Sequence, residues 1–400
     1  MTTPVYVQGV GALTPLGLDW PSSFTRLAAG ETAVRRVTEF DVAHFSSQVA
    51  APAIERFADE EDRRLAFARR AADEALSTSS LGDRPDRIGV FIGAESGRSS
   101  LATIHQLSKI GGGGRRFDHA LFGQDAVPFA ERMDAAVLSP AAVTSALALQ
   151  IGAEGPAATI SLACASGSAA IAEGARAIRA GRCDVALCGG VGADVDPLML
   201  VGFGRLRALS ARGVSCPFDL HRDGFVVGEG AAMVVLSRTP GEIPVTIDGW
   251  GRTLDAMHLT APDPDGGGAE RAMRAALAMA GAPAIQYVQA HGTSTPLNDV
   301  IEARALNRVL GPRAAGAWVS AVKGAVGHWV AGAGAIGFLC GLEAVRRGVV
   351  LPTAGLETPD PECELELVQG AARERPVDAA LVNAFAFGGA NCALVLRRAR

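Results

Sequence analysis

The sequence predicts an α/β fold in which sheet lies between layers of helices. Short apolar runs alternate along the chain with longer stretches of helical periodicity. Several of the runs are apolar almost throughout, which is typical of strands covered by helices on both faces. The 400 residues include 48 glycines, and only 5% of the residues are aromatic. We therefore expect closely packed elements. The chain is also longer than the roughly 250–300 residues that one hydrophobic core serves.

Ten apolar runs are predicted as strands and five periodic stretches as helices. The predicted strands are residues 5–9, 88–92, 158–162, 184–187, 231–236, 245–249, 285–290, 318–322, 380–384 and 392–396. The predicted helices are residues 64–75, 168–180, 268–280, 299–310 and 333–346. In the second helix, Ile171, Ala175 and Ile178 share one face, as a period of 3.6 residues requires. Gly181 is expected to end that helix.

A domain boundary is predicted at residues 238–244, where the sequence RTPGEIP follows an apolar strand. It divides the chain into an N-terminal half, residues 1–240, and a C-terminal half, residues 241–400. The sequence GGGGRR at 111–116 predicts a flexible surface loop.

Composition excludes several classes of protein. Hydrophobic residues make up 48% of the chain and charged residues 20%, which argues against a disordered chain. A net charge of −5 argues against a nucleic-acid or membrane-surface protein. The seven cysteines lie singly, with no spacing typical of zinc, and the start MTTPVYVQG is unlike a signal peptide. These features predict a reduced, cytoplasmic protein without bound metal.

Cys164 is the first candidate for chemistry. It lies in the sequence TISLACASGSAA, where a predicted strand leads to the cysteine and a helix begins soon after. Unpaired backbone N–H groups and the positive end of a helix favour a thiolate and can bind an oxyanion. We therefore predict that the pKa of Cys164 is lowered relative to the other six cysteines. A small buried cysteine without a catalytic role remains the alternative.

Two histidines and a lysine are candidate partners of the cysteine. His291 opens HGTSTPLND directly after a predicted strand, at the kind of position where open α/β sheets bind ligands. His328 lies in KGAVGHWVAGAG, five residues after Lys323. A nucleophilic cysteine needs a base that meets it in space rather than in sequence. Each histidine can equally be a structural one.

Two further segments have Gly-rich or charged turns. Residues 383–391, NAFAFGGAN, run from a strand into a Gly-Gly turn, which permits a close backbone approach to a reactive centre. Residues 216–230, CPFDLHRDGFVVGEG, lead into a predicted strand. A hairpin turn and a charged turn explain these two segments equally well.

Taken together and in this order, the motifs resemble the elongating β-ketoacyl-[acyl-carrier-protein] synthases, which are condensing enzymes of the thiolase superfamily. The resemblance extends from VQGVGALTPLG near the start to FGGANCALVL near the end. It implies a thiolase-like, five-layered αβαβα fold of two similar halves with mostly parallel sheets. It also implies a homodimer, although a heterodimer with a synthase-like partner is open.

The resemblance assigns roles to particular residues. The nucleophile falls on Cys164, the catalytic histidines on His291 and His328, and the catalytic-site lysine on Lys323. The remaining assignments are Thr293, Thr295 and Thr260 for pantetheine, Phe387 with Gly388 and Gly389 for the gate, the N–H groups of Phe387 and Cys164 for the oxyanion hole, and Arg63, Arg64, Arg205 and Arg207 for carrier-protein docking.

The implied reaction is a decarboxylative condensation of a malonyl group with a Cys-bound acyl chain, both delivered by acyl carrier protein, without a cofactor. Some positions depart from the family pattern. Gly324 and Ala386 replace a usual Ser and Gly, and Gly337 replaces a Glu of housekeeping members. Trp329 follows His328, and IGAESGRSS at 92–100 replaces a more Gly-rich turn. These departures leave open both fatty-acid and polyketide or polyene synthesis.

Three alternative functions remain. A thiolase would use a second cysteine as base, but Cys392 lies in GANCAL rather than in a C-x-G loop. A non-catalytic chain-length-factor-like partner would lack the nucleophile. A protein that only decarboxylates is the third alternative.

Overall fold

The protein is described by a computed structural model that covers residues 3–54, 62–79, 87–98, 101–110, 117–130 and 135–399. Its strands are β1 Tyr6–Leu13, β2 Arg35–Arg36, β3 Val49–Ala50, β4 Ile88–Gly93, β5 Ala157–Ile160, β6 Val185–Ala193, β7 Glu229–Ser237, β8 Val245–Leu254, β9 Tyr287–Gln289, β10 Trp318–Ser320, β11 Val349–Val350, β12 Glu366–Leu367, β13 Arg373–Glu374, β14 Ala379–Phe385 and β15 Ala390–Arg398. Its helices are α1 Trp20–Ala28, α2 Arg63–Ser77, α3 Leu101–Lys109, α4 His119–Ala130, α5 Ala141–Ile151, α6 Ser166–Arg179, α7 Pro197–Arg205, α8 Gly267–Met279, α9 Pro296–Leu310, α10 Lys323–Val326 and α11 Ala333–Arg347.

All ten predicted strands and all five predicted helices are present, with ends displaced by a few residues. The largest difference is in β6, which continues past residue 187 to Ala193. Its second half contains the sequence GGVG, and glycine is depleted in strands, so the pattern did not predict the extension. The predicted loop at 111–116 lies outside the described residues.

The main sheet has the strand order β12-β10-β9-β14-β15-β8-β1-β7-β6-β4-β5. The pairing directions give each half of this sheet one strand that runs against the others, β7 in one half and β15 in the other. The halves meet through a single residue pair, Tyr6 with Thr246, between β1 and β8. Among the described strands, each half is thus mostly parallel, as predicted.

Helices form three layers around the two halves of the sheet. Helices α6 and α11 contact each other and lie between the halves, whereas α2 and α5 cover one outer face and α8 and α9 the other. The two central helices approach closely because they carry glycine at the contact. A Cβ added to Gly167 would lie 2.9 Å from Ala335 N, and one added to Gly334 would lie 2.5 Å from Ser168 Oγ. The order of layers is αβαβα, which confirms the prediction.

The parallel strands bring distant motifs to one edge. Strand β5 leads to the 3-10 turn Ala163–Ala165 and then to α6. Strands β9, β10 and β14 are parallel neighbours in the other half, so their carboxyl ends lie side by side. Residues 238–244 connect β7 to β8. No helix within the described residues is long and apolar enough to cross a membrane.

Candidate active site

Cys164 lies in the 3-10 turn between β5 and α6, and 8% of it is exposed. The preceding residue, Ala163, has a positive φ of 45°, a conformation that L-residues adopt rarely and at a cost. This turn places the sulfur in a cavity of about 350 Å³ at the carboxyl edge of the strands. His291 and His328 line the same cavity, so the structure brings together three residues that are far apart in the sequence.

The pKa of Cys164 is raised from the ordinary value of a thiol rather than lowered, although it is raised less than that of Cys363 and Cys392. Burial raises the pKa of this thiol to about 11, and its removal from water outweighs the opposing charge of Lys323. Burial also raises the pKa of Cys216, which does not line the cavity, to about 11. Burial raises the pKa of Cys363 and Cys392 to about 12. The pKa of Cys164 is thus lower than that of some cysteines but equal to that of Cys216, so the position of Cys164 in the cavity distinguishes it better than its pKa does.

Two backbone N–H groups point at the sulfur of Cys164. They belong to Phe387 and to Cys164 itself, and both favour the thiolate. Phe387 lies in the turn between the antiparallel strands β14 and β15, where Gly388 and Gly389 have positive φ angles of 84° and 78°. These glycines shape the turn but do not line the cavity. The N–H of Gly388 donates to Leu259 O at 2.8 Å, which ties the turn to a neighbouring loop.

His291 is held by a buried carboxylate that the sequence analysis missed. The N–H groups of His291 and Gly292 each donate to Glu302 at 2.8 Å, and Asn383 Nδ2 donates to it at 3.0 Å. Glu302 is 1% exposed and lies on α9, three residues after the equally buried Asp299. Two acidic residues on the buried face of one helix were a signal that could have found it.

Lys323 is the cation of the site, and it is 4% exposed. Its Nζ donates to His291 O and lies 3.4 Å from His291 Nδ1. Burial lowers the pKa of this ammonium to about 8, although Glu302 opposes the shift. Helix α10, which begins at Lys323, packs tightly against a neighbouring loop, because a Cβ on Gly324 would lie 1.9 Å from Ala354 O. A serine does not fit there without a backbone shift, which explains the departure from the family pattern.

His328 is positioned by the segment that leads into β7 and by the residues that follow it in the chain. Its N–H donates to Val226 O at 2.8 Å, and the N–H of Val330 donates to His328 Nδ1 at 3.0 Å. The imidazole lies 5.0 Å from the ring of Phe225 and 5.8 Å from that of His291, measured between centroids. Phe225 is a further residue that the sequence analysis did not single out. Trp329 is fully buried and donates from Nε1 to Val326 O, and it does not line the cavity.

Both imidazoles are neutral at pH 7. Burial, together with the charge of Lys323, lowers the pKa of His291 and of His328 well below 6.5. In His328, Nδ1 accepts a hydrogen bond, so the ring proton is on Nε2. In His291, the adjacent ammonium of Lys323 makes Nδ1 the acceptor and again leaves the proton on Nε2. The site thus holds two neutral imidazoles, each with one N–H to donate.

The rest of the cavity wall is polar at one side and aromatic at the other. Thr293, Thr295 and Thr260 line it, and the hydroxyls of Thr293 and Thr295 are 2.9 Å apart. The aromatic part consists of Phe203, Phe225, Phe385 and Phe387. Cys392, which would have to act as the base if the protein were a thiolase, is buried in β15 and does not line the cavity. Among the described residues, no group of three or more His, Cys, Asp or Glu is arranged to hold a metal ion.

The four arginines predicted to dock a carrier protein divide into two pairs. Arg64 is 6% exposed, and its guanidinium donates to Asp62, Glu95 O and Val137 O. That residue is internal, and its assignment to a docking surface is wrong. Arg63 is partly exposed but forms an ion pair with the buried Glu229, so its guanidinium is already used. Arg205 and Arg207 are exposed, and Arg207 lines the mouth of the cavity.

Comparisons with known proteins cover almost the entire chain. The family models described as "Beta-ketoacyl synthase, N-terminal domain" and "Beta-ketoacyl synthase, C-terminal domain" match residues 2–240 and 245–357. The chain is 35% identical to "3-oxoacyl-[acyl-carrier-protein] synthase 2" of Synechocystis sp., over 98% of each protein. It is 34% identical to the "Tetracenomycin polyketide synthase ketoacyl synthase alpha subunit" of Streptomyces glaucescens, over 98% of this chain and 97% of that one.

A solved structure matches the complete fold. It is described as AntDE:AntF, a type II PKS acyl-carrier protein in complex with its ketosynthase bound to the hexaketide. The TM-score is 0.86 at 26% identity, and the match covers 100% of both chains. This likeness, together with the observed layers, confirms the thiolase-like fold.

Proposed function

The chain belongs to the β-ketoacyl synthase family, and from this premise we propose that it joins a Cys-bound acyl group to a malonyl unit with loss of carbon dioxide. One observation carries the proposal. Cys164, with two N–H groups directed at its sulfur, shares a cavity with two neutral imidazoles. A nucleophile, oxyanion donors and enolate donors are the groups that this reaction uses.

The first step loads the enzyme. The thiol of Cys164 attacks the thioester carbonyl of an acyl group on a carrier, and a new C–S bond replaces the old one. The proton of Cys164 leaves with the released carrier thiol. The N–H groups of Phe387 and Cys164 stabilise the oxygen that becomes negative in the tetrahedral intermediate.

The second step makes the carbon–carbon bond. A malonyl thioester loses carbon dioxide, and the electron pair of the broken C–C bond moves into an enolate. The Nε2–H groups of His291 and His328 donate to the enolate oxygen, and their neutrality makes them donors without a proton to lose readily. The enolate carbon then attacks the acyl group on Cys164. The C–S bond breaks, its electron pair goes to the sulfur, and the resulting thiolate takes one proton from water to restore the thiol of the first step. The reaction as written uses no metal and no organic cofactor.

The substrates are carried by acyl carrier protein, and the pathway is fatty-acid or polyketide elongation. Thr293, Thr295 and Thr260 are proposed to bind the pantetheine arm, because all three line the cavity. Arg205 and Arg207 are proposed to attract the acidic carrier. A dimer, either of two copies or with a synthase-like partner, and a cytoplasmic location are parts of the same proposal.

The proposal is tested by mixing the protein with acyl-loaded and malonyl-loaded carrier protein and weighing the products. We expect a β-ketoacyl carrier and one acyl group on Cys164, located by peptide mapping. The variant Cys164→Ala should form neither. Acetoacetyl cleavage by free thiol would indicate a thiolase, and carbon dioxide release without condensation would indicate a decarboxylase. If the chain alone is inactive and condensation appears only when an active synthase subunit is added, the chain would be a non-catalytic partner subunit.

A further inference from the structure

Glu95 lies just beyond the carboxyl end of β4 and reaches across to the turn that carries Cys164. Strands β4 and β5 are parallel neighbours, with Gly93 opposite Ile160. The chain beyond β4 therefore runs beside the chain that leads to the nucleophile. Glu95 belongs to the segment 92–100 that departs from the family pattern, and neither catalytic step uses it.

The carboxylate of Glu95 binds the nucleophile turn at three points. Oε1 accepts from the N–H of Ala163 at 2.9 Å and from the hydroxyl of Ser166 at 3.2 Å. Oε2 accepts from the hydroxyl of Ser161 at 2.8 Å. Ser161 and Ser166 lie on either side of Cys164 in the sequence. One side chain thus joins both ends of the turn.

The contact to Ala163 is made at the residue with unfavourable backbone geometry. Its φ of 45° costs energy that the surroundings must offset. Within the described part of the chain, Glu95 is the only acceptor of the N–H of Ala163. Ser166 supports the same turn, because its Oγ accepts from Leu162 N at 2.8 Å and donates to Ala163 O at 2.7 Å, sharing its one proton between Ala163 O and Glu95 Oε1.

We propose that Glu95 is a positioning residue that holds Cys164 in the geometry required for acylation. Glu95 does not line the cavity, so it acts through the turn rather than on the substrate. The inference rests on the proposed function, in which Cys164 accepts the acyl group. It predicts an effect on acylation that is separate from decarboxylation, since His291 and His328 are supported by other contacts.

The experiment compares Glu95→Ala with Glu95→Gln. The alanine variant removes all three contacts, whereas the amide of glutamine keeps an acceptor for Ala163 N–H and can donate to Ser161 Oγ. Since small misplacements of a reacting group can cost about 10²-fold in rate, we expect acylation of Cys164 in Glu95→Ala to be at least about 10-fold slower. Glu95→Gln should stay within about 3-fold of the parent. Decarboxylation of malonyl carrier should change little in either variant.

The matched control is Glu154→Ala, which removes an exposed carboxylate from the loop before β5. It should acylate at the parent rate. Parent-rate acylation by Glu95→Ala, or equal losses of acylation and decarboxylation in it, would overturn the inference. If Glu95→Ala does not fold, Ser166→Ala decides, because it removes the other support of the turn and should slow acylation selectively.

A second readout separates this inference from the proposed function. The rate at which iodoacetamide alkylates Cys164 needs no acyl substrate. A parent protein that accepts no acyl group would refute the proposed function. A slower alkylation in Glu95→Ala, restored in Glu95→Gln, would still support the positioning role, and equal alkylation rates in all three proteins would refute it.

Discussion

The two active-site imidazoles are neutral because burial and the positive charge of Lys323 both lower their pKa. His291 is 3% exposed and His328 is 2% exposed, and Lys323 affects both. A charged imidazolium would be a stronger donor but also an acid that could protonate the enolate carbon. The arrangement stabilises negative charge on oxygen while it keeps the carbon free to attack the acyl group.

Removal of either imidazole should impair decarboxylation more than acylation. His291→Ala and His328→Ala each delete one donor to the enolate, and loss of one such donor typically costs about 10²–10³ in rate. Acylation uses the N–H groups of Phe387 and Cys164 and should fall by less than about 10-fold. Carbon dioxide release and acyl-enzyme mass should be measured separately on each variant. Parent-level decarboxylation in both would contradict the mechanism.

Decarboxylation should decline as the pH rises through about 8, where Lys323 loses its proton. Without the ammonium, Nδ1 of His291 loses the neighbour that keeps it an acceptor. In Lys323→Met the rate should be lower but independent of pH between 7 and about 9. The measurement is carbon dioxide release across this range, and a decline that persists in Lys323→Met would assign the titration to another group.

Unfolding does not explain such a decline. The pKa of Lys323 is about 8 in the folded protein against an ordinary value of 10.5. Between these values the unfolded chain binds more protons than the folded one, so this group makes stability rise with pH. A thermal midpoint that is no lower at pH 9 than at pH 7 would exclude unfolding as the cause.

At the scale of elements, the segment that leads into β7 is in direct backbone contact with His328. The N–H of Gly228, just before β7, donates to His328 O at 3.0 Å. A Cβ on Gly228 would lie 2.2 Å from Val326 O and 2.9 Å from Trp329 Cδ1. The residue before β7 therefore determines how closely the histidine approaches the cavity.

Gly228→Ala should displace the His328 segment and slow decarboxylation by at least about 10-fold, since the rate falls steeply when a catalytic group is misplaced by even a small distance. Acylation of Cys164 should be less affected. The matched control is Gly202→Ala in α7, where an added Cβ meets no atom within 4 Å. Equal rates in Gly228→Ala and the parent would show that the backbone absorbs the added methyl group without moving His328.

The sequence predicted the elements better than the contacts between them. All ten apolar runs became strands, because burial on both faces of a strand leaves a short, nearly continuous apolar run in the sequence. Phe225 was missed because its partner His328 is distant in sequence. Glu302 was missed although it follows His291 by only 11 residues, because the sequence does not show that this carboxylate turns back to the backbone of His291 and Gly292.

Arg64 was misassigned because the carbonyl groups that it binds, those of Glu95 and Val137, are distant from it in sequence. The upward shift in the pKa of Cys164 was not foreseen, because helix direction is readable in a sequence whereas depth of burial is not.

At the scale of the molecule, charge is distributed unevenly. The net charge is −5, yet Arg207, which lines the cavity, and Arg205, two residues before it, are both exposed. Long-range attraction between such residues and an acidic partner acts mainly on the association rate and is screened over about 8 Å at physiological salt. Attraction of a carrier is therefore expected to be strongest at low salt.

Reversal of both charges, Arg205→Glu with Arg207→Glu, should raise the apparent KM for acyl carrier protein at low salt. Turnover of a small pantetheine thioester should stay nearly unchanged, because Cys164 and both histidines are untouched. The control reverses two other exposed arginines, Arg87→Glu with Arg373→Glu, neither of which lines the cavity. Equal losses on both substrates would mean that Arg205 and Arg207 support the fold instead of docking.

The close contact of α6 with α11 has a consequence for folding. Cys164 precedes α6 in one half, while His328 precedes α11 in the other. The two helices meet where Gly167 and Gly334 have only hydrogen as side chains. Pairings between residues so distant in sequence form late, because long loops must close first. We therefore expect a refolding chain to regain helical structure before it regains activity, because the active site is complete only when the two halves dock.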